Sequence, residues 1–244
     1  MSSGEARPLE EMRWKALGMM SLITDCCERI EIAGSIRREK EVVRDVELVA
    51  VPKFEGAINL LHLRLDTLLK AGYVSKRLNK NDHAISWGDR WRAMSAGSIS
   101  IDVFIVLPDR EWGPTMLLRT GPGAANQVLV TQEGVRNQEG DMGVCPRWLS
   151  WRDGALWRGE TFVSTPEERD VFRLLGLPYM HPSERTVSLY QLWARRRGSM
   201  AHQGGYSRTV TVDLRPETRL VVQPSARVAG FVQMEVKPVA VRLF

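Results

Sequence analysis

The 244 residues carry 43% hydrophobic and 26% charged side chains, the balance of an ordinary globular chain long enough to bury a core. Lys and Arg outnumber Asp and Glu by 34 to 29, a mildly basic excess that admits a nucleic-acid partner without requiring one. Cys26, Cys27 and Cys145 are too few and badly spaced for a disulfide framework or a zinc site, no apolar run reaches membrane-spanning length, and no signal-peptide core follows Met1. A reduced, intracellular setting (cytoplasmic or nucleoid-associated) is the expectation.

Pro8 to Ile30 predicts a helix, because Leu9, Met12, Ala16, Leu17, Met20, Ile23 and Cys27 recur at steps of three and four. Gly34 to Glu47 follows, reading Gly-Ser-Ile-Arg-Arg-Glu-Lys-Glu-Val-Val-Arg-Asp-Val-Glu. Its end leads into a strand, Asp45 to Val51, stopped by Pro52. Side chains alternate along a strand, so Asp45 and Glu47 share a face. Two like charges on one face call for a cation, and hard carboxylate oxygens with substrate phosphates suit Mg²⁺. At the other end, Gly34 allows close approach to an anion, Ser35 offers a hydroxyl, and Arg37 or Arg38 can fork onto phosphate oxygens.

Gly56 to Ala71 predicts a second amphipathic helix, closed by Gly72. Strands are expected around Tyr73–Leu78, Ala84–Trp87 and Trp91–Met94. Ser98 to Leu107 alternates, with Ile99, Ile101, Val103 and Ile105 on one face and Ser100, Asp102 and Phe104 on the other. A carboxylate in so apolar a strand is costly unless it lies at an edge or meets a partner or a metal. Pro114 suits the first turn of a helix that Gly121 ends. A helical segment is expected from Gln127 to Arg136, and short strands within Cys145 to Glu160. Thr165, Pro166 and Glu168 read as N-cap, first helical position and capping-box partner, with Gly176 ending that helix.

In combination these motifs resemble the family X (polymerase beta-like) DNA polymerases. There a Gly-Ser-x-Arg-Arg element precedes an acidic-x-acidic pair, and a Thr-Gly-Ser segment marks the palm-to-thumb junction. The match runs over about residues 30–186, with Asp102 at the place of a third carboxylate and Thr120, Gly121 and Asn126 at the junction. The pair is usually Asp-x-Asp, so Glu47 departs from it, as does Pro122 where Ser is usual. Leu118 and Arg119 replace residues that are aromatic in the polymerase beta branch, so sugar choice does not carry over. Only 33 residues precede Gly34, too few for the family's lyase and fingers domains, and a reduced form is expected.

The resemblance implies an α+β fold: a nucleotidyltransferase palm over residues 1–118, a thumb-like subdomain over 119–187 and a β-rich extension over 188–244. It implies two Mg²⁺ ions, with Mn²⁺ as a substitute, held by the catalytic Asp45, Glu47 and Asp102. It places nucleotide binding on Gly34, Ser35, Arg38, Thr120, Gly121 and Asn126. The substrates would be a deoxynucleoside triphosphate and primer-template or gapped DNA, with no membrane and with room for a protein partner or self-association through the extension. Two alternatives stay open: a nucleotidyltransferase on a non-DNA acceptor, and a catalytically impaired DNA-binding or assembly protein on the same fold. The junction also sets a tight cis Gly121–Pro122 bond against an ordinary trans Gly-Pro after a helix.

Overall fold

A computed structural model describes residues 4–202, with side chains to residue 196. Its organising element is a five-stranded mixed sheet built from β1 (Cys27–Ile32), β2 (Asp45–Pro52), β3 (Ser75–Lys76), β4 (Trp91–Ala96) and β5 (Ile99–Ile105), in the order β1-β2-β5-β4-β3. β2 and β5 run parallel; the other pairs are antiparallel. The central β5 is buried along its whole length, as its Ile/Val/Phe content dictates.

One face of the sheet packs Val46, Leu48, Ile101 and Val103 against the helices α1 (Leu9–Ile23) and α3 (Leu60–Lys70). α1 presents Met12, Ala16, Met19 and Ile23, a stripe at helical spacing. The opposite face changes character along its strands. β2 reads Asp45, Glu47, Val49, Val51 on that face, and β5 reads Ser100, Asp102, Phe104. The apolar part lies under Trp112 and Met116 of α4 (Pro108–Thr120), which share a buried cluster with Val49, Val51 and Phe104. The acidic part lies beyond that cluster. The switch from carboxylate to valine along β2 therefore sets where the covering helix stops.

Several boundaries depart from the sequence reading. The first helix ends at Ile23, a 3-10 turn spans Thr24–Cys26, and the expected helical stretch to Ile30 is β1 instead. Arg29 and Glu31 alternate there with Ile30 and Ile32, and β2 needs a partner on that side, which overrides the helical spacing. α3 begins at Leu60 rather than Gly56, capped by the Asn59 side chain accepting from His62 N–H at 3.0 Å. Of the strands expected around 73–78 and 84–87, only Ser75–Lys76 forms; residues 84 and 87 make isolated bridges to Leu78 and Arg92.

α4 begins at Pro108, so Pro114 lies inside it. A mid-helix proline orphans the carbonyl four residues back. That carbonyl, Arg110 C=O, accepts instead from the Thr165 hydroxyl at 3.4 Å, and Gly113 N–H donates to Thr165 C=O at 3.1 Å. Thr165 is thus spent on α4 rather than capping the next helix. α6 (Glu168–Leu174), which follows α5 (Gly123–Val130) along the chain, is capped by Glu167 in a reciprocal box with Asp170. α5 starts four residues before the expected Gln127 and stops at Val130, six short of Arg136.

A small antiparallel sheet of β6 (Ser150–Arg152), β7 (Ala155–Arg158) and β8 (Thr161–Val163) follows, as the sequence suggests. Leu156, Leu117, Val128, Phe172 and Tyr190 form a second buried cluster with α5, α6 and α7 (Val187–His202). α7 occupies the start of the expected β-rich extension over 188–244, and the rest of that extension, from residue 203, lies outside the described residues. No helix among the described residues is long and apolar enough to cross a membrane.

Candidate active site

Pairing of β2 with β5 aligns Asp45 with Ser100 and Glu47 with Asp102. In register on parallel neighbours, all three carboxyl-bearing residues occupy one face. Asp45 and Glu47 are half-buried and Asp102 is buried. The signature then folds back onto them. Ala33 N–H donates to Glu47 C=O at 2.8 Å, and Gly34 follows at φ +64°. A Cβ on Gly34 would stand 2.1 Å from Glu47 Oε2. The anion that Gly34 admits is thus first of all the chain's own carboxylate.

Gly34–Arg37 forms a single helical turn, α2 by position in the chain, which separates the roles of the two arginines. Arg37 turns toward α6, donating to both carboxylate oxygens of Glu168 (3.0 and 2.9 Å) and to Thr120 Oγ1 (2.9 Å). Arg38 sits beside Glu47 and Asp45 and donates to Thr120 C=O at 2.5 Å, while its buried Nε lacks a partner. The Ser35 hydroxyl is also buried without a hydrogen bond. Two orphaned donors beside the carboxylates are what a bound phosphate would satisfy.

The charge pattern is uneven. Burial, then the neighbouring Asp45, pushes the Glu47 carboxyl up to about 7, with Arg119 and Arg38 opposing. Asp102 is held differently: Arg77 donates to both its oxygens at 2.7 and 2.9 Å, and the Trp91 indole N–H donates at 2.8 Å. Sequence reasoning missed Arg77 and Trp91. Arg77 sits in an irregular stretch with no pattern, and Trp91 looks like an ordinary strand aromatic. It also missed the all-buried Arg185, which donates to Glu168 at 2.7 Å beside Arg37.

At the junction, Thr120 is fully buried and touched by both signature arginines, so the first and third sequence motifs meet in space. The Gly121–Pro122 bond is trans, since no cis bond occurs among the described residues. The expected cis turn is not used: Gly121 is plainly extended (φ −68°, ψ 153°), and Pro122 precedes α5 as its N-cap. Gly121 is needed for proximity instead, because a Cβ there would stand 2.1 Å from Asn126 Oδ1. Asn126 Nδ2 donates to Leu118 C=O at 2.5 Å and Gly121 C=O at 3.1 Å, and its Oδ1 lacks a partner.

Asn126 also lines a cleft of about 580 Å³ with Trp91, Phe104 and Arg119. Trp91 bonds Asp102, and Phe104 lies two residues along the same face, so the cleft adjoins the acidic end of the sheet. Arg119 stacks over Phe104 at 3.8 Å and feels the charges of both Glu47 and Asp102.

A divalent cation suits this donor set in kind. Three hard oxygen donors share a face, and Glu47, raised by burial and then by Asp45, is a carboxyl whose ionised form a cation would favour. In the arrangement described, however, no three His, Cys, Asp or Glu side chains among the described residues are grouped as a metal shell. The physical reason is that guanidinium groups hold these carboxylates now: Arg77 on Asp102, with Arg38 and Arg119 beside Glu47.

No protein-family model matches the sequence. Among curated proteins the chain is similar to DNA polymerase lambda of Rattus norvegicus, at 29% identity over 161 residues. The match covers 62% of this chain and 28% of that protein, so the chain spans well under a third of the relative's length. Together with the mixed α+β architecture, the match supports a distant relationship to the family X DNA polymerases.

Proposed function

We propose that the protein is a nucleotidyltransferase of the DNA polymerase kind, adding nucleotides to a primer 3′-hydroxyl with release of pyrophosphate. The observation that carries this reading is the meeting of three sequence-distant elements: the Gly34–Arg38 turn, the face bearing Asp45, Glu47 and Asp102, and Thr120. Similarity to a DNA polymerase over 161 residues supports it. Residues 1–118 would serve as palm and 119–187 as thumb.

Asp45, Glu47 and Asp102 would hold two divalent cations, Mg²⁺ by preference, which when bound lower the pKa of the attacking hydroxyl and offset charge on the leaving group. Asp102 would lie nearest the primer hydroxyl, its carboxylate positioned by Arg77 and Trp91. Ser35 Oγ and the Arg38 guanidinium would donate to the triphosphate, where charge grows as the bond to the leaving group breaks. Arg37 would not touch substrate. Its place is to fix Thr120 and Gly121, and through them Asn126, along the wall of the nucleotide cleft. Primer extension with labelled deoxynucleotides on templated, gapped and single-stranded substrates tests the reading. Mg²⁺-dependent extension is expected, and no incorporation on any of the three would overturn it.

A further inference from the structure

The small sheet β6–β8 carries chemistry that the transfer reaction does not use. Its register pairs Ser150 with Trp157 and Trp157 with Phe162, so Trp157 and Phe162 share a face with Arg152. The other face, with Leu156, packs into the second buried cluster. On the first face arginines and rings alternate. Arg152 lies 4.7 Å from the Trp157 ring, and Arg110 of α4 lies 5.1 Å from Trp157 and 5.3 Å from Phe162. Phe162 is 44% exposed.

Positive charge on this face is poorly matched. Arg110 has no carboxylate partner among the described residues, and its buried Nε lacks a hydrogen bond. Arg152 donates to Gly159 C=O, and its one carboxylate partner among the described residues is Glu160, at 3.6 Å and 92% exposed. The face also joins the cleft: Asp153 and Gly154, in the β6–β7 turn, line it, and Arg90, on the same wall, donates to Asp153 C=O at 2.9 Å. A partner leaving the cleft past that turn meets guanidinium, ring, guanidinium, ring.

We infer that this face is a track for single-stranded nucleic acid, with phosphates on Arg152 and Arg110 and a base stacked on Phe162. Interleaved rings and cations are the general means of holding an unpaired strand: every base has a face to stack, and every step carries a phosphate. A protein ligand would use the positive charge without needing the rings to be exposed between the arginines. The inference builds on the polymerase reading only in the choice of partner, and testing it needs no turnover.

The test is equilibrium binding of the full chain to labelled oligo(dT) and oligo(U) 20-mers, by fluorescence anisotropy over a range of salt. Phe162→Ala should weaken binding at least about fivefold, the loss of one stacked base, and leave the salt dependence unchanged. Phe162→Trp should restore it. The double change Arg110→Gln with Arg152→Gln should lower the slope of log affinity against log salt by about 1.4, for two phosphate contacts on a single strand. Wild-type affinity in both the Phe162→Ala and the double arginine variants would overturn the track and leave the face to an acidic protein partner. Equal losses on blunt duplex would overturn the single-strand assignment. If the parent extends no primer yet these shifts appear, the polymerase reading fails and the track stands.

Discussion

Two glutamates, the half-buried Glu47 and the buried Glu168, sit on either side of the signature turn and are treated in opposite ways. Glu168 is gripped by Arg37 and Arg185, each within 3.0 Å, and these arginines hold its carboxyl below the usual range despite burial. Glu47 has Asp45 and Asp102 nearby, and burial with those charges pushes it up to about 7. The first arrangement is closed on itself: charge, hydrogen bonds and packing all balance within the chain. The second is open: Arg38 and Arg119 act on Glu47 through charge alone, and Ser35 and Arg38 keep orphaned donors. A closed cluster buttresses the fold, whereas an open one requires something from outside. The contrast predicts that damage to the two will separate cleanly into lost folding and lost chemistry.

The largest effect should come from the open side. Asp45→Asn or Asp102→Asn is expected to lower incorporation at least about 10³-fold, since each removes a charged ligand where charge develops in the transition state. Melting should change little in Asp45→Asn, whereas Asp102→Asn also weakens the buried pair with Arg77 and should melt lower. Full Mg²⁺-dependent turnover by both would remove these residues from the site.

On the closed side, Glu168→Gln should cost about 3–5 kcal/mol of stability, because it strands Arg185 and Arg37 without their shared counter-ion. Urea unfolding measures it. A loss below about 1 kcal/mol would mean that the cluster is not the buttress its geometry implies. The fall should extend to activity only as far as the folded fraction falls.

Much of the open side was legible beforehand, and little of the closed side was. Alternation along Asp45–Val51 and Ile99–Ile105 reports a strand face by itself, because the period of two is local. The acidic face therefore follows from sequence once β2 and β5 are neighbours. Glu168, Arg185 and Arg77 gave no such signal, since each acts through a partner 17 or more residues away and no spacing rule relates them. Local pattern misled where tertiary demand prevailed. Cys27 fits a helical stripe yet begins the strand beside β2, and Pro114 fits a first turn yet lies inside α4, where Thr165 serves the carbonyl it orphans.

The two glutamates should also give opposite pH dependences in metal-free protein. Glu47 binds its proton more tightly folded than unfolded, so its share of stability is greatest below the ordinary glutamate range. It declines as pH rises and levels off above about 7, a change of about 3 kcal/mol. Glu168, held low, contributes above the ordinary range and loses that contribution as pH falls. Glu47→Gln should therefore flatten the decline between about pH 5 and 7 in urea titrations. An unchanged slope would show that Glu47 is not the group responsible.

The paired arginines refine the contrast within one turn of helix. Arg38→Ala should reduce kcat/KM for the triphosphate by about 10- to 150-fold, equivalent to about 1.5–3 kcal/mol, the loss of one charge-assisted contact. Arg37→Ala should show up first as lost stability, through Glu168 and Thr120. If the two variants exchange these phenotypes, the assignment of Arg38 to substrate and Arg37 to the fold is reversed.

The smallest effect on the fold is expected at Gly121, where the two regions touch. Its φ of −68° is open to any residue, so no backbone strain attends Gly121→Ala. The added methyl meets chiefly the amide of Asn126, at 2.1 Å from Oδ1, with Leu117 C=O next at 3.3 Å, and a side-chain amide can rotate away. That rotation would break the bonds to Leu118 and Gly121 carbonyls and swing the amide along the cleft wall. Stability should therefore fall by no more than about 1–2 kcal/mol, the worth of one or two neutral hydrogen bonds. Gly34→Ala makes the natural comparison. It faces the same 2.1 Å encroachment, on Glu47 Oε2, but adds a residue at φ +64° that an L side chain resists. Gly34→Ala should cost both stability and incorporation, whereas Gly121→Ala should raise KM for the nucleotide with nearly native unfolding. Should Gly121→Ala leave KM unchanged, Asn126 is not on the nucleotide's path, and the cleft wall is only a wall.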